Sequence, residues 1–169
     1  MPKWREGEDY RKRFSAKKEE GGGVALDLIH EINYAQYFFP DKIIDINSYQ
    51  DKISNLEITS NDLAHFDIKQ AKRFLTITLN YFQLSPERCI KLVAKEGTLS
   101  ADLINKRIEI FGEDGKKIYS RQFEFDSNQM YIDEVRSMFK FMSGKEKPRE
   151  ILGIDQAIKD LRIIEGKNE

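Results

Sequence analysis

The sequence predicts an α+β protein: an open, mostly antiparallel sheet of six or seven strands with helices on one face. Three observations carry this. A helical period follows Gly21-Gly22-Gly23, seven short β-rich runs lie between Ile43 and Phe125, and helical periods return from Met130 onward. Strands that follow one another without intervening helices pair antiparallel, and helices placed before and after such a run gather on one face of the sheet.

Met1 to Glu20 is rich in Lys, Arg, Glu and Asp with scattered aromatics and no steady period. It reads as an arm or loop, either solvated charge or a flap in which Trp4, Tyr10 and Phe14 pack while Arg5 and Arg11 reach a ligand. Residues 21–169 form the α+β body, within what reads as a single domain. Val24, Leu26, Leu28, Ile29, Ile32, Ala35, Tyr37, Phe38 and Phe39 recur at helical intervals until Pro40 forbids continuation, which predicts one helix of about four turns. Strands are expected at Ile43–Ile46, Leu63–Ile68, Phe74–Phe82, Cys89–Ala94, Gly97–Asp102, Arg107–Phe111 and Ile118–Phe125, with turns at Glu96-Gly97 and Glu113-Asp114-Gly115. Met130, Tyr131, Val135, Met138, Phe139 and Met142 mark a helix after a cap region at Asp126-Ser127-Asn128. Ile154, Ala157, Ile158, Leu161 and Ile164 mark another.

The hydrophobic fraction of 40% beside 34% charged residues describes a folded chain with a real core. Its 28 basic and 29 acidic residues are mixed along the sequence, so no field exists to attract nucleic acid or a membrane surface. The single cysteine, Cys89, excludes an internal disulfide and a cysteine-rich metal site, and its place in an apolar strand reads as core. The methionines of the Met130 helix read as core packing too. A polar start, the absence of an apolar run of about 20 residues and the cysteine usage point to the cytoplasm.

Acid-base chemistry centres on Asp27, His30 and Glu31. Residues three and four apart share a helix face, and a histidine beside a carboxylate suits proton exchange with a substrate hydroxyl. The preceding glycines would let a ligand or another backbone approach the helix start. They are not a dinucleotide fingerprint, because no strand precedes them and Leu26 stands where the third glycine belongs. The other histidine, His65, lies in a strand pattern as a surface residue, and two histidines so far apart make no metal site.

These residues resemble the C-terminal domain of the glucose-fructose oxidoreductase, inositol dehydrogenase and MocA-like family of NAD(P)-dependent oxidoreductases. The resemblance rests on Trp4-Arg5, Asp9-Tyr10-Arg11, Gly21-Gly22-Gly23 with Leu26-Asp27 and His30-Glu31-Ile32, and Glu96-Gly97-Thr98-Leu99. It continues at Met130-Tyr131 with Glu134, and at Ala157 with Leu161-Arg162-Ile163. It implies a dihydrodipicolinate-reductase-like C-terminal fold whose sheet face builds homo-oligomers and whose helix side faces substrate. It further implies catalytic roles for Asp27 and His30, and substrate contacts from Tyr10, Arg11, Glu31 and Tyr81. One departure is the spacing: His30 stands three residues from Asp27, and Glu31 takes the fourth position that many members give to histidine. Another is Leu84, which follows Tyr81-Phe82-Gln83 where members often carry arginine.

Members take NAD or NADP on a separate Rossmann domain, which this sequence lacks, and use a lysine in a Glu-Lys-Pro motif; Glu146-Lys147-Pro148 spells it between the last two helices, a coincidence of position. The expected function is therefore that of the substrate-binding and oligomerisation domain of a sugar, sugar-nucleotide or polyol oxidoreductase, inactive by itself and truncated or split from its nucleotide-binding half. The alternative is a stand-alone interaction module that self-associates through its sheet face.

Overall fold

A computed structural model describes residues 7–126, 128–145 and 153–167. Three short 3-10 turns, Tyr10–Lys12, Phe14–Ala16 and Lys18–Glu20, lead into α1 (Val24–Asp27) and α2 (Ile29–Phe38). Then come β1 (Ile43–Asp51), β2 (Leu63–Gln70), β3 (Phe74–Asn80), β4 (Cys89–Ala94), β5 (Gly97–Asp102), β6 (Arg107–Phe111) and β7 (Lys117–Gln122). Two helices close the chain, α3 (Gln129–Met142) and α4 (Ile154–Ile164). The fold is α+β with every described strand pair antiparallel, and the seven strands hydrogen-bond as one sheet of three and one of four. Contacts divide the chain into two compact units, one from the described residues of Met1–Leu84 and Leu152–Glu169, the other from those of Ser85–Ile151.

In the first unit β2 lies between β1 and β3, with Phe66 opposite Ser48 on one side and Ile77 on the other. The two-residue period of the strand turns Ala64, Phe66, Ile68 and Gln70 to one face, and all four are buried. Val24 and Ala25 of α1, Ile32 of α2 and Ile163 and Ile164 of α4 join the same core. The opposite face of β2 carries the half-buried His65, whose Nδ1 lies 2.9 Å from Thr78 Oγ1 and whose Nε2 lies 3.3 Å from Asp67 Oδ1. This is the surface position its strand pattern predicts.

The single helix expected from Val24 to Phe39 is two. Leu28 leaves the helical region at φ −110° and ψ 27°, so Asp27 ends one segment and His30 sits in the first turn of the next. The segments are anchored to different neighbours, α1 by its Val24 N–H on Asn61 O and α2 by Asn33 on Asp160 of α4, and the break at Leu28 accommodates both.

In the second unit β4 to β7 form a meander in chain order. A two-residue turn at Lys95 and Glu96 joins β4 to β5, and Gly97 follows at φ +147°, where a Cβ would lie well under 3.0 Å from Phe111 O. Leu92, Leu99 and Ile110 share one register row, while Lys91, Ser100 and Glu109 share the next on the other face. Cys89 falls on that polar face and is exposed rather than core, because its register partners are Asp102 and, beyond it, Arg107. Burial, the nearby Glu87 carboxylate and Asp102 push its thiol up from the ordinary range. The Met130 helix also departs from expectation: no residue of α3 is buried, and Met130, Met138 and Met142 are all more than half exposed. A helical period records one apolar stripe, and a stripe alone does not say what covers it.

Candidate functional site

The glycine run is a packing device. A Cβ on Gly22 would lie under 3.0 Å from the carbonyl oxygens of Phe14, Ser15 and Lys17, so only glycine lets the 3-10 turns cross here. The N–H groups are used in the same crossing, Gly22 on Lys17 O at 2.8 Å, Gly23 on Ser15 O at 3.1 Å and Val24 on Asn61 O at 3.0 Å. Another stretch of backbone thus occupies the approach that the sequence leaves open to a ligand.

The same turns are tied to the 57–60 segment. Thr59 N–H donates to Ala16 O at 2.9 Å, Ser60 Oγ to Ser15 O at 2.7 Å and Lys18 N–H to Thr59 Oγ1 at 3.0 Å. Ser15 and Ala16 are buried, whereas Phe14 is 53% exposed. Tyr10 packs against the core and its hydroxyl accepts from the Glu57 N–H at 3.3 Å. Arg11 donates to both carboxylate oxygens of Asp9 and to Glu57 Oε2, and the Arg11 guanidinium holds the Asp9 carboxyl below its ordinary range. Trp4 and Arg5, the other residues of the expected flap, and Glu146-Lys147-Pro148 lie outside the described residues.

Asp27 and Tyr81 meet. The hydroxyl of Tyr81 donates to Asp27 Oδ2 at 3.0 Å, joining the end of α1 to the residue after β3. Tyr81 is fully buried and its own N–H donates to Asp62 O at 2.9 Å. Asp62, itself fully buried, accepts from Ile53 N–H at 2.8 Å, Ser54 N–H at 3.1 Å and the Ser54 hydroxyl. A buried carboxylate satisfied by such donors locks the loop that seats Tyr81, and so fixes Asp27 indirectly. Asp62 went unnoticed in the sequence because its role depends on the loop closing back on it.

His30 stands on the outward side of α2, its side chain 47% exposed, with Nε2 3.1 Å from Glu31 Oε1. A carboxylate this close can orient the ring, and a neutral imidazole has one nitrogen able to accept a proton. Tyr34, one turn on, meets the ring edge-on at 6.2 Å between centroids. On the inward side Asn33 Nδ2 donates to Asp160 Oδ2 at 2.8 Å, and Gln156 Nε2 to Asp160 Oδ1 at 3.0 Å, so α4 clasps the helix that carries His30. The structure thus brings Asp27 with Tyr81 and His30 with Glu31. Tyr10 and Arg11 both bond to Glu57 of the 57–60 segment.

No group of His, Cys, Asp or Glu among the described residues is arranged to hold a metal ion. The described strands pair only antiparallel, without the parallel crossover and glycine-rich turn by which a Rossmann fold holds a dinucleotide. A cleft of about 260 Å³ lies on the polar face of β4–β6 between Cys89, Lys91, Ser100, Asp102, Arg107 and Glu109, and contains none of the acid-base residues. No helix of the described residues is long and apolar enough to cross a membrane.

No family model matches the sequence, and no curated protein matches it either. Solved structures do. An oxidoreductase from Thermotoga maritima superposes with a TM-score of 0.71 at 18% identity, over 96% of this chain and 47% of its own. GenD2 from gentamicin A biosynthesis, solved in complex with NAD, gives 0.69 at 17% identity over 95% and 49%. The UDP-N-acetylglucosamine 3-dehydrogenase of Acidithiobacillus ferrooxidans gives 0.65 at 11% over 84% and 44%. The chain has the C-terminal-domain fold of these oxidoreductases. It spans about half the length of the structures it matches, and at these identities the likeness establishes the fold alone.

Proposed function

We propose that this chain is the substrate-binding half of an NAD(P)-dependent oxidoreductase for a sugar, sugar nucleotide or polyol. Asp27 positions a substrate hydroxyl, and a ring nitrogen of His30 accepts its proton as the carbinol carbon becomes a carbonyl. The hydride acceptor belongs to a nucleotide-binding fold that the described residues do not build. The observation that carries this reading is the Tyr81–Asp27 hydrogen bond, which fixes a half-buried carboxylate at the end of α1, beside the start of the helix that presents His30. Support comes from the shared fold, from the NAD in the GenD2 structure and from the sugar-nucleotide substrate that names the Acidithiobacillus enzyme.

Calorimetric titration with monosaccharides, polyols and UDP-sugars tests the substrate half of the reading. We expect binding that Asp27→Asn weakens about tenfold or more, in keeping with the loss of a charged hydrogen-bond partner. Tyr81→Phe, which removes one hydrogen bond to the carboxylate and leaves its charge in place, should weaken binding less and lower stability by about 1–2 kcal/mol. Absence of carbohydrate binding sinks the proposal, and tight binding of NADH by this chain alone overturns the division of labour. The same reading has the chain assemble as a homo-oligomer through its sheet face, and a purely monomeric sedimentation profile would remove that part.

A further inference from the structure

None of the fourteen residues of α3 is buried, and no described strand of its own unit lies along it. A helix of that length is marginal in water without a packed face, so α3 needs a cover. Its apolar residues follow a heptad seam. Tyr131, Val135, Met138 and Met142 stand at intervals of four, three and four, each more than half exposed, and Ile132, Phe139 and Phe141 flank them. Gln129, Asp133, Arg136 and Lys140 repeat at the same intervals on the opposite side. There Asp133 accepts from Gln129 at 2.7 Å and pairs with Arg136 at 3.3 Å. Two acids and two bases leave the helix without net charge, which gives it no pull toward an anionic lipid surface.

We infer that the cover is α3 of a second copy of this chain, paired antiparallel about a two-fold axis at the level of Arg136 and Ser137. A stripe alone leaves its occupant open, but here the order of residues along it is self-complementary. In that register Val135 lies opposite Met138 of the second copy and Tyr131 opposite Met142, so each layer sets a smaller or more slender side chain against a larger one. On the flank, Ile132 meets Phe139 of the second copy. Parallel pairing would instead stack Tyr131 on Tyr131 and Val135 on Val135, one layer overfilled and one underfilled. The same surface serves both copies, as a two-fold contact requires. The seven seam and flank residues leave roughly 900 Å² per copy in water, comparable to the about 800 Å² per partner that a standard interface buries. This contact uses a helix face, and is separate from association through the sheet.

Sedimentation velocity on the full chain from about 1 to 200 µM should show a reversible monomer–dimer equilibrium with a micromolar dissociation constant. Val135→Glu with Met138→Glu, which sets carboxylates against one another along the seam, should weaken it about a hundredfold or more. Cross-linking reads the register. In a Cys89→Ser background, a mixture of Tyr131→Cys and Met142→Cys chains should oxidise to a cross-linked dimer. Tyr131→Cys alone should not, since antiparallel pairing holds the two copies of position 131 about 16 Å apart along the helix. Cross-linking of Tyr131→Cys alone marks a parallel pair and overturns the inference, as does a mixture that never cross-links. A monomer at every concentration overturns it as well and assigns the stripe to another polypeptide. A dimer that survives the two glutamates places association on the sheet face and removes α3 from it. Should the glutamates unfold the chain, the cysteine variants, which leave the rest of the seam apolar, decide the matter.

Discussion

Gly21 and Gly22 show how differently two neighbouring glycines act. Gly21 takes φ +78° at the end of a 3-10 turn with open space around it, so Gly21→Ala costs only the strain of a left-handed alanine, about 1 kcal/mol. Gly22→Ala places a methyl among three carbonyl oxygens that belong to backbone and cannot swing aside. It should cost about 3 kcal/mol or more and detach the 3-10 turns from the 57–60 loop. Urea denaturation of the two variants checks this, and equal losses would show that the crossing at Gly22 is soft. The motif that looks like an invitation to a ligand is thus an intramolecular contact. Sequence shows that a Cβ is missing but not what fills its place, just as Cys89 shows an apolar neighbourhood along the strand but not the charged residues across it.

At the level of elements, strand positions were legible because alternation is local: β4, β5 and β6 fall where their residue patterns place them, and α4 spans its whole periodic stretch. The break at Leu28 was not, since it follows from anchors on Asn61 and Asp160, far off in sequence. Of the candidate site, the chemical types of Asp27, His30 and Glu31 could be read directly; the bonds that orient Asp27, to Tyr81 and thence Asp62, could not. The clasp of α2 by α4 gives this a measurable form. Asp160 is 2% exposed and its two oxygens take Asn33 and Gln156. Asp160→Ala orphans both amides and should destabilise the chain by about 2–3 kcal/mol, while Asp160→Asn, which keeps shape and one acceptor, should lose less. Heteronuclear NMR would show the consequence at a distance, as shifted amide resonances from Ile29 to Asn33. Unchanged resonances there would mean that α2 holds its place without α4.

Across the whole molecule the two units hold together by different means. The first has a continuous core of Val24, Ile32, Phe66, Ile68, Leu79, Tyr81 and Ile163, whereas Ala101 is the only buried apolar residue among the described residues of the second. Little buried apolar area leaves a unit dependent on its hydrogen bonds and charges, and such units open first. In the second unit, those charges are acid-sensitive. Asp102 is held below its ordinary range by Asn105 backbone and side-chain bonds, Glu109 by Lys117, and Asp114 by Lys116. A carboxyl lowered in the folded state binds fewer protons than in the unfolded chain, so its contribution is complete above the unfolded value and fades as pH falls through the folded one. Hydrogen exchange by mass spectrometry should therefore find lower protection factors in β4–β7 than in β2 and β3 at pH 7, and a wider gap at pH 3.5 after correction for intrinsic rates. Asp102→Asn with Glu109→Gln should lower protection in β4–β7 at neutral pH and remove much of its further fall in acid. Uniform protection of both sheets at pH 7 would show that the second unit draws its stability from contacts other than its own.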